Sequence, residues 1–377
     1  MKILQILPTY KPAYIYGGTV FCVSLMCESF VKEGHEIKML TTTANGKEEL
    51  NVKPGALQNV DGVPVVYFSR WTKDHSQFSP GLLVSLWNDC KKYDIVHIHS
   101  WWNLSVLFSV LICWLRGVKP VLSPHGMLSD FSFNENHGFL KNNFHRYIGT
   151  FLLKQTYLHL TSVAEQKQLG DLSKDNFVLP NFIETATSPV LQKKENDIFT
   201  LIFLSRIHPK KNIEGLIDAL SLIDFDIHLK IVGGGESDYI AELQKRALNK
   251  NVSQRIEWVG ELHGDIKFQY LAEADIFILP SFNENFALVV TESLSAGTPV
   301  LISEYVGLAN YVKENDLGWL CDTDAQSIAD TIQFAANQKD KIDFIRKKAP
   351  SIIQRDFSPK ALSTRYIAQY ERLINNG

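Results

Sequence analysis

Short apolar runs alternate with segments of helical period from the start of the chain, and this restricts the fold more than any other feature. Lys2 to Leu7 reads as a strand. Thr19 to Glu33 reads as a helix, with Val20, Val23, Cys27, Phe30 and Val31 at three- and four-residue spacing and Gly34 as its stop. Glu36 to Thr42, Asp94 to His99, Pro120 to Pro124, Tyr157 to Ser162 and Asn176 to Leu179 read as further strands, and Val60-Asp61-Gly62-Val63 as a hairpin turn. The pattern resumes with Phe199 to Leu204, Ile227 to Val232, Ile256 to Gly260, Asp275 to Pro280 and Val300 to Ser303. Strands that are apolar throughout belong to parallel sheets covered on both faces, so the expected class is α/β. The polar stretch Glu184 to Asp197 separates the two series. The expected division is therefore a domain over 1–183, a linker over 184–197, a second domain over 198–355 and a terminal segment over 356–377. Asp324 to Asn337, Lys341 to Ile353 and Pro359 to Asn375 read as helices, the first with an aspartate N-cap, the last amphipathic with Tyr366, Tyr370 and Leu373 on one side.

Composition narrows the class of function. A chain of 377 residues can bury two cores, and 45% apolar with 21% charged residues is a folded composition. A net charge of −3 gives no footprint for a nucleic-acid partner. The five cysteines, Cys22, Cys27, Cys90, Cys113 and Cys321, are odd in number and form no close metal-type pair, which fits a reducing cytoplasm. No signal-peptide pattern precedes the first strand. Leu104 to Leu115, the longest apolar run, contains Ser105 and Ser109 and falls short of the roughly 18–20 residues of a membrane span. It reads as a buried helix, with a membrane-surface contact elsewhere left open.

Candidate chemistry is densest between Ser281 and Pro299. An apolar strand is followed by a loop, a helical rhythm from Phe286 to Ala296 and the stop Gly297-Thr298-Pro299. Glu284 stands in the loop and Glu292 in the helix, with seven residues between them. Were the interval helical, the rise would part their backbones by roughly 12 Å, which suits one carboxylate at each end of a long ligand. Phe286, Ala287 and Leu288 open the helix with amides that have no partner inside it, a ready anion site, and Ala287 is small enough to admit a phosphate. These features suit a diphosphate on the helix start with hydroxyl-bearing rings to either side, as in a nucleotide-sugar. The alternative is a solvated loop carboxylate and a surface helix carboxylate.

The two glutamates so spaced, before a small-residue stop and a strand, resemble the donor site of the retaining GT-B glycosyltransferases of family 4, also called group 1 glycosyl transferases. The resemblance implies two Rossmann-like domains facing each other across a cleft, with a C-terminal helix returning to the first. It implies that Glu284 contacts the transferred sugar, Glu292 the ribose, and Phe286 to Leu288 the diphosphate. The family often has glycine where this chain has Asn285 and Ala287, which bears on sugar preference. In the loop Ser205 to Asn212, two cations five residues apart can straddle a diphosphate and neutralise the leaving nucleotide, a role otherwise given to a metal. The resemblance gives that role to Arg206 and Lys211, and Lys210 is the weaker candidate.

In the first half, the loop Pro8 to Gly18 ends in Gly17-Gly18, which either lets backbone approach an anion or forms a flexible turn. The resemblance places it against donor phosphate and acceptor. It is not a dinucleotide fingerprint, since the third spaced glycine is missing. Gly233-Gly234-Gly235, after another strand, fails the same spacing test. His97 and His99 point to one side of a strand, but no third ligand stands nearby and no metal site is expected. Trp101-Trp102 either stack on a sugar or shield the sheet end. His125, in the SPHGML string, resembles the histidine that faces the transferred sugar, in members that build surface polysaccharides; it would stabilise developing charge on the ring or be a turn histidine satisfied by backbone. Phe139 to Lys154 reads as a helix whose Lys141, His145, Arg146 and Lys154 either meet an anionic acceptor or form a solvated face.

The resemblance implies a retaining, metal-independent hexosyltransferase moving a sugar from a UDP- or GDP-sugar to a hydroxyl of a sugar or lipid-linked acceptor, in surface polysaccharide or glycolipid synthesis. The nucleotide-sugar is a substrate, and no cofactor is expected. The competing readings are a nucleotide-sugar 2-epimerase of the same architecture and a non-catalytic sugar-binding protein.

Overall fold

A computed structural model describes residues 1–128, 145–169, 172–173, 175–186, 198–262 and 264–376. Its contacts divide the chain into two compact units, Met1–Ile183 together with Pro359–Gly377, and Glu184–Ser358. The stretch 187–197 of the expected linker and the loop 129–144 lie outside the described residues.

The first unit holds an eight-stranded sheet. Its strands are β1 Lys2–Ile6, β2 Glu36–Thr42, β3 Leu57–Val60, β4 Val63–Phe68, β5 Ile95–His99, β6 Val121–Ser123, β7 Tyr157–Leu160 and β8 Asn176–Val178. They lie in the order β8-β7-β6-β5-β1-β2-β4-β3. All neighbours are parallel except β3 and β4, which form a hairpin. Asp61 and Gly62, both at positive φ (51° and 87°), make the turn that the sequence marks there. Trp101 is fully buried in this core and belongs to the sheet end, while Trp102 is half-buried and its Nε1 donates to the Met127 carbonyl at 2.7 Å.

The Leu104–Leu115 helix departs from the reading of a buried helix. Val106, Val110 and Cys113 face the core, but Leu104, Phe108, Trp114 and Leu115 are exposed. An uninterrupted apolar run cannot distinguish a helix covered all round from one that leaves an apolar face bare. Among the described residues no helix is long and apolar enough to cross a membrane. Of the expected basic helix after residue 138, the described part is a wide turn, His145–Gly149, and a single helical turn, Thr150–Leu153.

The second unit holds six parallel strands, β9 Phe199–Leu204, β10 Ile227–Val232, β11 Ile256–Gly260, β12 Ile276–Leu279, β13 Val300–Ser303 and β14 Gly318–Cys321, in the order β11-β10-β9-β12-β13-β14. Numbered within the unit this is 3-2-1-4-5-6, the doubly wound order in which the chain reverses direction between strands 1 and 4. The first unit reverses in the same way between β1 and β5. At such a reversal the connections after the two central strands diverge to opposite faces and leave a crevice at the carboxyl edge.

Asn212 joins three loops at that edge of the second unit. It sits at φ 58° as N-cap of the Ile213–Leu220 helix, with Oδ1 accepting from the Gly215 N–H at 3.2 Å. Its Nδ2 donates to the carbonyls of Pro280, after β12, and Thr323, after β14, at 3.1 and 2.7 Å. Asn212→Ala removes a cap, orphans two carbonyls and places alanine in left-handed backbone. The expected loss is about 3 kcal/mol, read as a lower denaturation midpoint for the second unit.

Candidate functional site

The second unit brings its candidate residues to the crevice between β9 and β12. After β9 the chain runs through Arg206, which is exposed, and a short turn, Pro209–Lys211. After β12 it is tied back to that turn, because the Phe282 N–H donates to the Lys210 carbonyl at 3.0 Å. Glu284 is then clamped by its backbone, its N–H donating to Tyr305 O at 3.1 Å and its carbonyl accepting from Gly307 N–H at 2.8 Å. Its side chain accepts a hydrogen bond from Lys211 Nζ. Both side chains are only 13–14% exposed, so this is a sheltered pair and not two solvated surface charges. Of the two adjacent lysines, Lys211 is the one against Glu284.

The helix expected from Phe286 begins at Leu288 and runs to Ser295. Ala287 is its N-cap in left-handed backbone, φ 64° and ψ 75°, a conformation costing a non-glycine residue about 1–2 kcal/mol. The amides of Phe286, Ala287 and Leu288 have no backbone partner among the described residues. The turn is thus set so that successive N–H groups stand open at the positive end of the helix, the arrangement that binds phosphate.

Glu292, on the same helix, is buried and is not a surface residue. It is not brought against Glu284. Its Oε1 accepts from Lys267 Nζ at 2.9 Å, and Lys267 also donates to Glu184 Oε2 at 2.7 Å. Burial raises the Glu292 pKa, against the attraction of Lys267 and with a further push from Glu184. Burial alone would depress Lys267, but Glu292 and Glu184 outweigh it and hold the ammonium above its ordinary value. One cation is shared by two carboxylates, so the cluster is negative and can give hydrogen-bond acceptors to a neutral polyol. Sequence reasoning missed Lys267 and treated Glu184 as linker. The only available signal was a lysine near the start of a helix following β11.

The first unit places its candidates at its own reversal point. Gly17 ends the Tyr14–Tyr16 turn with φ 73° and ψ −143°, and the following helix, Gly18–Lys32, opens with an exposed Gly18. His125, after β6, also takes positive φ, 51°, followed by Gly126 at 77°. The Gly126 N–H donates to Oε1 of buried Glu165 at 2.9 Å, and Glu165 Oε2 accepts from the Thr161 N–H at 2.7 Å, which pins the turn. His125 is not satisfied by backbone. Its Nε2 lies 3.1 Å from His99 Nδ1, and His99 Nε2 lies 2.7 Å from Gln5 Oε1.

Behind this pair the core is polar. His97 Nε2 contacts Ser123 Oγ at 2.6 Å, and Ser123 Oγ contacts His159 Nδ1 at 2.5 Å. The Pro359–Asn376 helix contributes Tyr370, whose hydroxyl is 2.7 Å from His97 Nδ1, and Tyr366, 3.1 Å from His159 Nε2. Both tyrosines are buried. With its nitrogens so engaged, His97 is a core group. No cluster of three or more metal-type ligands occurs among the described residues. Desolvation, then the neighbouring imidazoles, pushes His97 and His99 well below the ordinary range. Desolvation also takes His125 down to about 3 and His159 to about 4. His125 is therefore a neutral imidazole.

Two family models match the chain, one for Glycosyltransferase Family 4 over residues 16–187 and one for glycosyl transferases group 1 over residues 185–351. An uncharacterized glycosyltransferase of Methanocaldococcus jannaschii is 26% identical over 350 residues, covering 87% of each chain. Sucrose-phosphate synthase from Thermosynechococcus elongatus superposes with a TM-score of 0.77 at 18% identity, over 100% of both chains. The HepE protein of Anabaena, in complex with UDP and glucose, gives 0.75 at 20% identity over 99% of this chain and 100% of its own. At these identities the two structures establish likeness of fold.

The buried imidazoles set an acid limit on the first unit. Their folded pKa values lie below the unfolded value of about 6.5, so their contribution is fully present above that pH. As pH falls toward the folded values, about 4 for buried His159 and well below the ordinary range for buried His97 and His99, the unfolded chain takes up protons that the folded chain excludes. Stability should be flat between pH 7 and 8 and then fall by up to about 1.4 kcal/mol per pH unit for each such histidine. Denaturant titrations at pH 8, 7, 6 and 5 read this slope, and a flat profile down to pH 5 would contradict it.

Proposed function

Because the chain belongs to the group 1 glycosyl transferases, with a family 4 first half and the GT-B fold, we propose that this glycosyltransferase moves a hexosyl unit from a UDP- or GDP-sugar to a hydroxyl. The transfer retains anomeric configuration and needs no metal. The observation that supports this reading best is the sheltered Lys211–Glu284 pair beside the open amides of Phe286, Ala287 and Leu288, at the reversal point of a doubly wound sheet. In this reading the diphosphate lies on the helix start and on Arg206 and Lys211. Those two cations take up the charge that builds on the departing nucleotide. Arriving phosphate draws Lys211 off Glu284, and the freed carboxylate accepts from hydroxyls of the transferred sugar. Glu292 accepts from the ribose, and neutral His125 contacts the sugar. Gly17 and Gly18 leave room for phosphate and acceptor. The remaining task of the protein is orientation and exclusion of water.

Glu284→Ala and Lys211→Ala should each lower turnover by about 10²–10³-fold with the fold retained by circular dichroism, although each leaves its sheltered partner unpaired and lowers the thermal midpoint. A screen of UDP- and GDP-sugars by thermal shift and by product analysis identifies the donor. Full activity in either variant counts against the site, and conversion of the donor into a new sugar nucleotide without acceptor would mark an epimerase.

A contact with an anionic membrane surface is supported separately by the bare face of the Leu104–Leu115 helix. Trp114 packs on Phe151 with ring centroids 5.2 Å apart, and Arg116 lies 5.0 Å over Trp87. Exposed Leu115, Ile148 and Lys154 lie near them in the chain. Aromatic and aliphatic side chains beside cations are the composition of a surface that rests in lipid headgroups. The acceptor would then be a lipid-linked sugar or glycolipid. The protein should sediment with vesicles containing phosphatidylglycerol and less with pure phosphatidylcholine, and Trp114→Glu with Leu115→Glu should abolish this.

A further inference from the structure

The first unit's buried polar groups form a chain whose proton positions can be worked out from one end. The Leu179 carbonyl can only accept, and it lies 2.8 Å from His159 Nε2, so that nitrogen bears the proton. In a neutral ring Nδ1 is then bare, and Ser123 must donate to it. Ser123 Oγ in turn accepts from His97 Nε2–H, which leaves His97 Nδ1 bare to accept from the Tyr370 hydroxyl. Tyr366 stands to the side of this sequence. It donates to the Pro180 carbonyl at 3.0 Å, and its oxygen accepts a second branch of the His159 Nε2–H.

Gln5 extends the chain toward the front of the sheet. Its side-chain amide faces the Tyr370 hydroxyl, though its Nε2 makes no bond of ordinary length among the described residues. The Tyr370 proton is already given to His97. A carbonyl turned toward Tyr370 would meet only lone pairs, so the amide nitrogen takes that side and Oε1 turns to His99. His99 Nε2 then donates to Oε1, His99 Nδ1 is bare, and His125 Nε2–H donates to it. His125 is left with an unprotonated Nδ1 that has no partner among the described residues.

We propose that Tyr370 of the C-terminal helix is a positioning residue that fixes the tautomer of His125, so that His125 offers Nδ1 as a hydrogen-bond acceptor to a substrate hydroxyl. The substrate part of this statement rests on the glycosyl-transfer reading, whereas the tautomer does not. A ring held the other way round would present a donor, and a hydroxyl could meet it only by turning its own proton elsewhere.

Long-range ¹H–¹⁵N correlation spectra of the full-length protein read the protonated nitrogen of each histidine without substrate. The expected result is Nε2–H on His97, His99, His125 and His159. In Tyr370→Phe the amide of Gln5 is released to turn over, so the Nδ1–H form of His125 should appear, with kcat about tenfold lower and the donor KM little changed. Tyr366→Phe removes an equally buried hydroxyl from the same helix outside the directional chain, and should leave both the tautomer and kcat as in the parent. Where Tyr370→Phe fails to fold, Ser123→Ala interrupts the same chain and should produce the same mixture at His125. A parent spectrum with Nδ1–H on His125 overturns the proposal. So does loss of activity in Tyr370→Phe with the His125 tautomer unchanged, or equal losses in the two tyrosine variants. Correct tautomers with no turnover on any sugar nucleotide would instead count against the transferase reading.

Discussion

Parallel strands cannot be joined by tight turns, and everything else in both units follows from that constraint. Each strand must return by a crossover that covers one face of the sheet, so both faces are buried and reactive groups have only the strand ends to occupy. Where the winding reverses, between β1 and β5 and between β9 and β12, two connections leave in opposite directions and a crevice remains between them. Gly17 lies in such a connection in the first unit and Arg206, Lys211 and Glu284 in the second, while His125 follows β6, the neighbour of β5 in the first sheet.

The two units fill their crevices by different electrostatic means. The second uses ionised groups in sheltered contact, Lys211 with Glu284 and Lys267 with Glu184 and Glu292. A partly desolvated pair of this kind is costly to break and leave unpaired, yet a ligand that brings its own phosphate and hydroxyls can replace both partners. The first unit keeps its groups neutral by burial and specifies them by the direction of hydrogen bonds instead. Charge suits recognition of a charged diphosphate, and fixed dipoles suit recognition of a neutral ring.

The fold was largely legible because strands buried on both faces are apolar throughout, and β9, β10 and β11 fall where the apolar runs do. The short edge strand Gly318–Cys321 was not, since four residues beginning with glycine give no periodic signal. At the site, Arg206 with Lys211 and Glu284 with Glu292 could be named because each pair lies within one short stretch of chain, where the resemblance to the family's donor site can be read. Lys267, Glu184, Gln5, Ser123, His159 and Tyr370 could not, because their partners are 20 to 273 residues away in sequence and only the assembled sheet brings them together. The strain at Ala287 was equally hidden, since side-chain type alone does not report a left-handed backbone.

The helix that completes the first unit is made only after the whole of the second unit. Pro359–Asn376 packs with residues 1–183, yet it leaves the ribosome about 175 residues after Ile183. At ordinary elongation rates that is an interval of roughly 10–35 seconds, during which Phe30 and the back of the sheet lack Tyr366 and Tyr370 as cover. The intervening unit is contiguous in sequence and can fold while its neighbour waits. A nascent chain of this topology therefore passes through a stage in which its later-made half is complete and its earlier-made half is not, with an apolar surface open to chaperones for that time.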